Sequence, residues 1–379
     1  MTGRSAPPSD FVSGLPKCEL HVHLEGTLEA GMAVALAERH GLPASGGGAA
    51  RDGSAAAADA AAATATGAAA AGREAAERPT TFDGLSDFLA RYYAAMGGLR
   101  TEEDFFELAT AYLETAARQG VVYAEMFFDP QAHTARGVPF EAVVTGIRRA
   151  QERSREAGGP DSQLIMCFLR DEPVESARAT LEASLPFRRW IVGVGLDSDE
   201  LGHPPTEFAG VFERARAAGY RLTMHCDPRQ PDSLAHLWQC LEVVGVERID
   251  HGVECLADER LVKELARRRV GLTVCPLSNL RLYGDLMADA VTEMLGRDLL
   301  VTVNSDDPAY FGGYAADNYR AVADAAGLTR AELARLARNG FEAAWLLPDR
   351  RAAYLDAVED YVRAGAATPP TRAPAAGNR

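Results

Sequence analysis

Eight short β-rich runs separated by amphipathic helical stretches constrain this chain more than any other feature. They are CELHVHLE (18–25), VVYAEMFF (121–128), QLIMCFLR (163–170), WIVGVGLD (190–197), YRLTMHCD (220–227), ERIDHGV (247–253), VGLTVCPLS (270–278) and LLVTVNSDD (299–307). Some are continuous in apolar residues, as parallel strands covered on both faces are. Between them lie stretches such as FEAVVTGIRRAQERSREAG and PTEFAGVFERARAAG, whose apolar residues recur at helical spacing. Eight strands alternating with helices predict an α/β fold, a (β/α)8 TIM barrel. A doubly wound open sheet is the alternative. It calls for a glycine-rich phosphate turn after its first strand, and HLEGTLEAG does not match that pattern. With 379 residues, nearly half of them apolar, the chain suffices for a single barrel domain over residues 1–379.

Two segments fall outside this pattern. Residues 43–78 are almost wholly Ala, Gly, Ser and Thr, with no large apolar side chain. Such a segment buries too little surface to offset its ordering entropy, so a disordered insertion is expected. The tail 366–379, AATPPTRAPAAGNR, is expected to be loose. Helices are predicted on either side of the insertion, over Glu29 to His40, ended by Gly41 and Pro43, and over Phe82 to Met96. The formal net charge of −15 argues against binding to nucleic acid polymers or anionic membrane, but not against a single purine in a pocket. The six cysteines form no CxxC pair and several lie inside apolar runs, so buried reduced thiols are expected. The N-terminus lacks the apolar core of a signal peptide, and no run approaches the ~18 apolar residues of a membrane span. A soluble, cytoplasmic protein is expected, and a homo-oligomer is compatible with the sequence.

The informative polar residues cluster at the C-terminal ends of the predicted strands, where barrel enzymes carry their active sites. His21 and His23 stand two apart on the first run and so face the same way. Alone, an HxH pair is more often incidental than a metal site. The fifth run adds His225, the sixth His251, and the eighth Asp306 and Asp307. Three histidines and a carboxylate drawn from separate strands suit a Zn²⁺ site with an open position. Four of the eight histidines lie at these strand ends, and His40, His133, His203 and His236 are read as surface or packing residues.

Together the motifs resemble one family. LPKCELHVHLEGT resembles the opening of the adenosine/adenine deaminases of the amidohydrolase superfamily, and the resemblance runs on through VVYAEMFFDPQAHT, VGVGLDSDELGHPP, ERIDHGV, LTVCPLSN and VTVNSDDPAYFGGY. It covers Leu15 to about Tyr319 apart from the insertion, and HLEGT and the last motif are closer to the adenine-deaminase-like branch. The resemblance implies one zinc ion per chain held by His21, His23, His225 and Asp306, with His251 orienting and deprotonating the attacking water and Asp306 contacting it. It also implies Asp307 at purine N7 and Ser198 where the family usually has a glycine whose backbone meets N3. Glu25 stands where adenosine-specific members commonly have a ribose-binding aspartate. The implied reaction is hydrolytic deamination of an adenine-type purine.

The chain departs from the family on strand five. The usual His-Ala-Gly-Glu, whose glutamate protonates ring N1, is here His225-Cys226-Asp227-Pro228. Proline can exchange no proton. Asp227 is the first candidate replacement, with Glu200 and Asp199 behind it, and a turn or capping role for Asp227 is an equally good bland reading. Two other functions stay open at this point: a hydrolase or deaminase acting on a different amino-heterocycle or amide, and a catalytically weak zinc-containing purine-binding protein. Glu25, longer than aspartate, favours a free base, or else caps the helix that follows it.

Overall fold

The computed structural model describes residues 9–42 and 82–365. The expected insertion at 43–78 and the tail from Ala366 lie outside these residues. Eight parallel strands form one sheet in sequential order: β1 (Lys17–Glu19), β2 (Val121–Phe128), β3 (Asp161–Leu169), β4 (Ile191–Asp197), β5 (Arg221–Cys226), β6 (Arg248–His251), β7 (Gly271–Val274) and β8 (Leu300–Val303). Sequential order with every neighbour parallel is barrel topology and excludes the doubly wound sheet. The seam between the last and first strands is short. Asp306 donates its N–H to the His21 carbonyl at 3.0 Å, and His23 donates to the Asp306 carbonyl at 2.9 Å. Three of the residues that matter most, His21, His23 and Asp306, are thus joined by the bonds that close the barrel.

The predicted helices around the insertion are present as Ala30–Arg39 and Leu85–Ala95, the second running into a tight turn, Met96–Gly98. The helix Glu102–Arg118 starts at a capping box in which Thr101 and Asp104 exchange side-chain and backbone bonds. All six cysteines are buried and free. No helix among the described residues is long and apolar enough to cross a membrane.

Below the strand ends, the barrel interior holds a buried ionic layer. Arg248 on β6 reaches across to Glu125 on β2 at 2.7 Å, with both side chains fully buried. Trp345 plugs the floor. Its N–H donates to Glu125 Oε1 at 2.7 Å, and the Arg248 guanidinium lies over its ring, 4.2 Å from the centroid. Gly193 on β4 is glycine because the indole leaves no room: a Cβ there would come within 2.4 Å of Trp345 Cζ3. Removing one ion of a buried pair strands the other in low dielectric. Arg248→Met is therefore expected to cost about 3–5 kcal/mol of stability. It would be read as a lower denaturant midpoint, with part of the loss recovered in the Glu125→Gln/Arg248→Met double variant.

Candidate active site

His21 and His23 leave the end of β1 on the same side, and β5, β6 and the loop after β8 bring His225, His251 and Asp306 to meet them. The His225 Nε2 atom lies 3.1 Å from His21 Nε2 and 3.1 Å from His23 Nε2. Asp306 Oδ1 lies 3.3 Å from His21 Nε2 and 3.5 Å from His23 Nε2. Four atoms held ~2.0–2.1 Å from one tetrahedral cation would be about 3.3 Å apart.

The tautomers point the same way. His225 Nδ1 faces the Leu196 carbonyl at 3.1 Å and so carries the ring proton, leaving Nε2 a bare lone pair. Thr273 gives its hydroxyl proton to Asp250 at 3.0 Å, so it accepts from His21 Nδ1 at 2.8 Å. Two bare imidazole nitrogens 3.1 Å apart repel, and a cation between them removes the repulsion. Burial favours these neutral rings: it pushes His21 down to about 4 and His225 well below the usual histidine range. Burial opposes ionisation of Asp306, but His21, His251 and His23 more than compensate and hold its carboxyl well below the carboxylate range. The residues present therefore fit a divalent metal.

Asp250, one residue before His251, underlies this cluster. It accepts from Thr223 at 2.6 Å and Thr273 at 3.0 Å and lies 3.5 Å from His225 Nδ1. A buried carboxylate behind metal-ligating histidines fixes their orientation. The sequence reading passed over Asp250. Its signal was the two-residue period that puts Arg248 and Asp250 on the same side of β6.

Three residues of the mouth hold left-handed backbone: Ser198 at φ 73°, His251 at φ 61° and Asp306 at φ 62°. Non-glycine residues reach this region at a cost of order 1–3 kcal/mol, and they collect where surrounding structure over-determines a functional geometry. For Ser198 the same angle gives a physical reason for the glycine that the related motif carries.

A cavity opens above the cluster. Its wall includes His23, His225, His251 and Asp306 together with Asp227, Asp307, Ser198, Asp129 and Asp197. Leu85, Phe88, Leu89, Tyr92 and Tyr93, all from helix Leu85–Ala95, close it from above. Burial pushes Asp227 up to about 7 against the pull of His251, whose Nε2 lies 3.4 Å from Asp227 Oδ1. Burial and the neighbouring Asp306 raise Asp307 well above its usual range, and its Oδ1 is buried without a hydrogen-bond partner.

The structure thus gathers His23, His225, Asp306, His251, Asp227, Asp307 and Ser198 in the wall of one cavity, with His21 buried against His225 and Asp306. Glu25 is not in its wall. The Glu25 Oε1 atom accepts from Asp129 N at 3.0 Å and pairs with His133 Nε2 at 2.8 Å. It makes no capping bond: Glu25 is the first residue of a short 3-10 helix, Glu25–Thr27, whose cap position is Leu24, and the next helix begins at Ala30 with Glu29 before it. Glu200 is buried but is not in the cavity wall. It accepts from Asp227 N at 2.8 Å and pairs with His236 Nδ1 at 2.5 Å. Asp199 bonds Ser86 and stays outside the wall. His133 and His236, read from sequence as surface or packing residues, are buried partners of these carboxylates.

Gly26 shows how tightly this wall is built. A Cβ at that position would fall 2.0 Å from Asp307 Oδ1 and 2.7 Å from its Cα. Gly26→Ala is expected to displace Asp307 and lower kcat/KM at least about 10-fold while the protein keeps its metal. Unchanged kinetics in this variant would show that Asp307 can move without consequence.

With this geometry in hand, the chain can be set beside known proteins. A model of the adenosine deaminase family matches residues 60–361. An adenine deaminase of Streptomyces coelicolor is 50% identical over 358 residues, covering 93% of this chain and 98% of that protein. One from Rhodospirillum rubrum is 45% identical, covering 90% and 95%. The crystal structure of an adenine deaminase from Arthrobacter aurescens superposes with a TM-score of 0.81 at 40% identity, covering 92% of this chain and 99% of that one. An amidohydrolase from Burkholderia ambifaria, crystallised with bound zinc, superposes with a TM-score of 0.79 at 25% identity, with 97% of each chain covered. Barrel, metal-binding geometry and these likenesses agree: the chain belongs to the adenosine/adenine deaminase family of amidohydrolases.

Proposed function

We propose that this protein hydrolyses the exocyclic amino group from an adenine-type purine and releases ammonia. The observation that carries this reading is the convergence of His21, His23, His225 and Asp306 at 3.1–3.5 Å beside a cavity walled by further titratable residues. These four residues would hold one zinc ion, which supplies Lewis acidity and makes water nucleophilic near neutral pH.

The chain's own residues account for the proton movements. His251 Nε2, 3.9 Å from Asp306 Oδ2, takes a proton from the attacking water as its oxygen adds to the amino-bearing carbon. Asp227 gives a proton to the adjoining ring nitrogen, so that no charge accumulates there. Asp227 takes this role over Glu200 and Asp199 because it alone of the three faces the cavity. His251 then passes its proton to the amino group, the C–N bond breaks, and ammonia leaves. The new hydroxyl returns a proton to Asp227 as the carbonyl forms. Asp307 holds the imidazole side of the purine and Ser198 its pyrimidine edge. Glu25 acts from beneath the wall, through Asp129 and His133, rather than on substrate. Six free thiols suit a cytoplasmic enzyme.

Ammonia release by the zinc-loaded protein tests the proposal, against adenine, adenosine, N6-substituted adenines and other aminated purines and pyrimidines. Fast release from an adenine-type compound is expected. Release only from a non-purine amine, or from none of these with metal confirmed, would overturn the proposal.

A further inference from the structure

Two carboxyl groups in the cavity wall have no part in the reaction just described. Asp129 follows β2 and Asp197 ends β4. They stand together with His23, an oxygen of each lying within 4.8 Å of the other and of a His23 ring nitrogen. Both are almost fully buried, Asp129 at 0% exposure and Asp197 at 3%. Asp129 Oδ1 is buried without a donor from the surrounding protein, and the Asp197 carboxyl has beside it only the Asp129 carboxyl, the Cys167 thiol and His23. The pair is held in place. Glu25 accepts from Asp129 N at 3.0 Å, and the Tyr93 hydroxyl donates to Asp129 Oδ2 at 3.4 Å. Asp197 Oδ2 lies 3.5 Å from His23 Nδ1. Unpartnered buried oxygens in a cavity wall are costly unless something supplies a donor.

The shape of a purine says what that donor is. Its amino-bearing carbon must sit at the metal cluster, between Asp227 on one flank and Asp307 on the other. The opposite edge, carrying N3 and N9, then points away from Asp306 towards Ser198 and the acids next to it. Asp197 is covalently adjacent to Ser198, and Asp129 pairs with Asp197. On that edge a free base has one hydrogen-bond donor, N9–H, and a nucleoside or nucleotide has none. Resting on the proposed function, we infer that Asp129, supported by Asp197, accepts a hydrogen bond from N9–H and so selects the free base over its 9-substituted forms.

The test uses Asp129, because Asp197 also touches His23. The zinc-loaded full-length protein, Asp129→Leu and Asp129→Asn are compared with adenine and with its analogue carrying sulfur in place of N9–H, which keeps the ring shape and loses the donor. Asp129→Leu is expected to lower kcat/KM for adenine about 10- to 100-fold, mainly through KM. The sulfur analogue should react alike with wild type and Asp129→Leu, and Asp129→Asn, which keeps an acceptor oxygen, should recover most of the loss. Calorimetric binding of unsubstituted purine and 9-methylpurine to the same proteins reads the subsite even if no ammonia forms, which separates this inference from the proposed reaction. Equal losses for both substrates with normal metal content and melting would mean a purely structural role and overturn the inference. So would an Asp129→Leu variant that binds purine as tightly as wild type.

Discussion

Replacing His225 with alanine is expected to empty the metal site and lower kcat/KM for the amine substrate by about four orders of magnitude or more. The reason lies in the contacts of one atom. His225 Nε2 is 3.1 Å from both His21 Nε2 and His23 Nε2 and is the hub of the cluster. Without it, the three remaining ligand atoms make an open, weaker set. Asp306→Ala should act similarly, since the lost carboxylate oxygen is the one that stands 3.3 Å from His21 Nε2 and 3.5 Å from His23 Nε2. Elemental analysis of the purified variants decides the matter alongside the ammonia assay. A full equivalent of tightly held metal in either one would refute the ligand assignment.

The second large effect concerns Asp227. Asp227→Asn preserves size and removes the transferable proton, so kcat is expected to fall about 10²- to 10⁴-fold with metal content unchanged. Glu200→Gln should cost far less, because Glu200 touches Asp227 only through its backbone N–H and lies outside the cavity wall. If the two variants exchange rank, Glu200 is the donor and Asp227 a turn residue. If neither slows the reaction, the proton on the ring nitrogen comes from elsewhere.

The barrel was legible because its signal is repetitive. Eight runs with strand character and helical stretches between them leave few topologies, and each run overlaps an observed strand, although β1 ends at Glu19 and β3 begins at Asp161. The strand-end histidines and aspartates were legible for a related reason: on a barrel, position along a strand already says which end a residue occupies. What the sequence hid are the contacts made across the barrel. Glu125 and Arg248 lie 123 residues apart, and nothing local in VVYAEMFF or ERIDHGV pairs them. Likewise, nothing local ties Glu25 to His133 or Glu200 to His236, so both histidines read as unremarkable from sequence. The helix Leu85–Ala95 was predicted as a helix, but nothing in its own sequence assigns its five cavity-lining side chains to a site built at the strand ends. Asp129 and Asp197 are the instructive omissions. Both stand at strand ends, where the argument that found His225 and Asp306 also applied, and each was passed over because it matched no expected role.

The left-handed backbone at Ser198 bears on how such a pocket diversifies. Glycine takes that conformation at little cost, and serine holds it at φ 73° against its own preference. The main chain at this edge of the pocket is therefore set by its surroundings rather than by the side chain on it. A lineage can exchange glycine for a small polar residue here, and back again, without rebuilding the loop. One edge of the pocket can thus be altered while the cation-binding residues opposite it stay where they are.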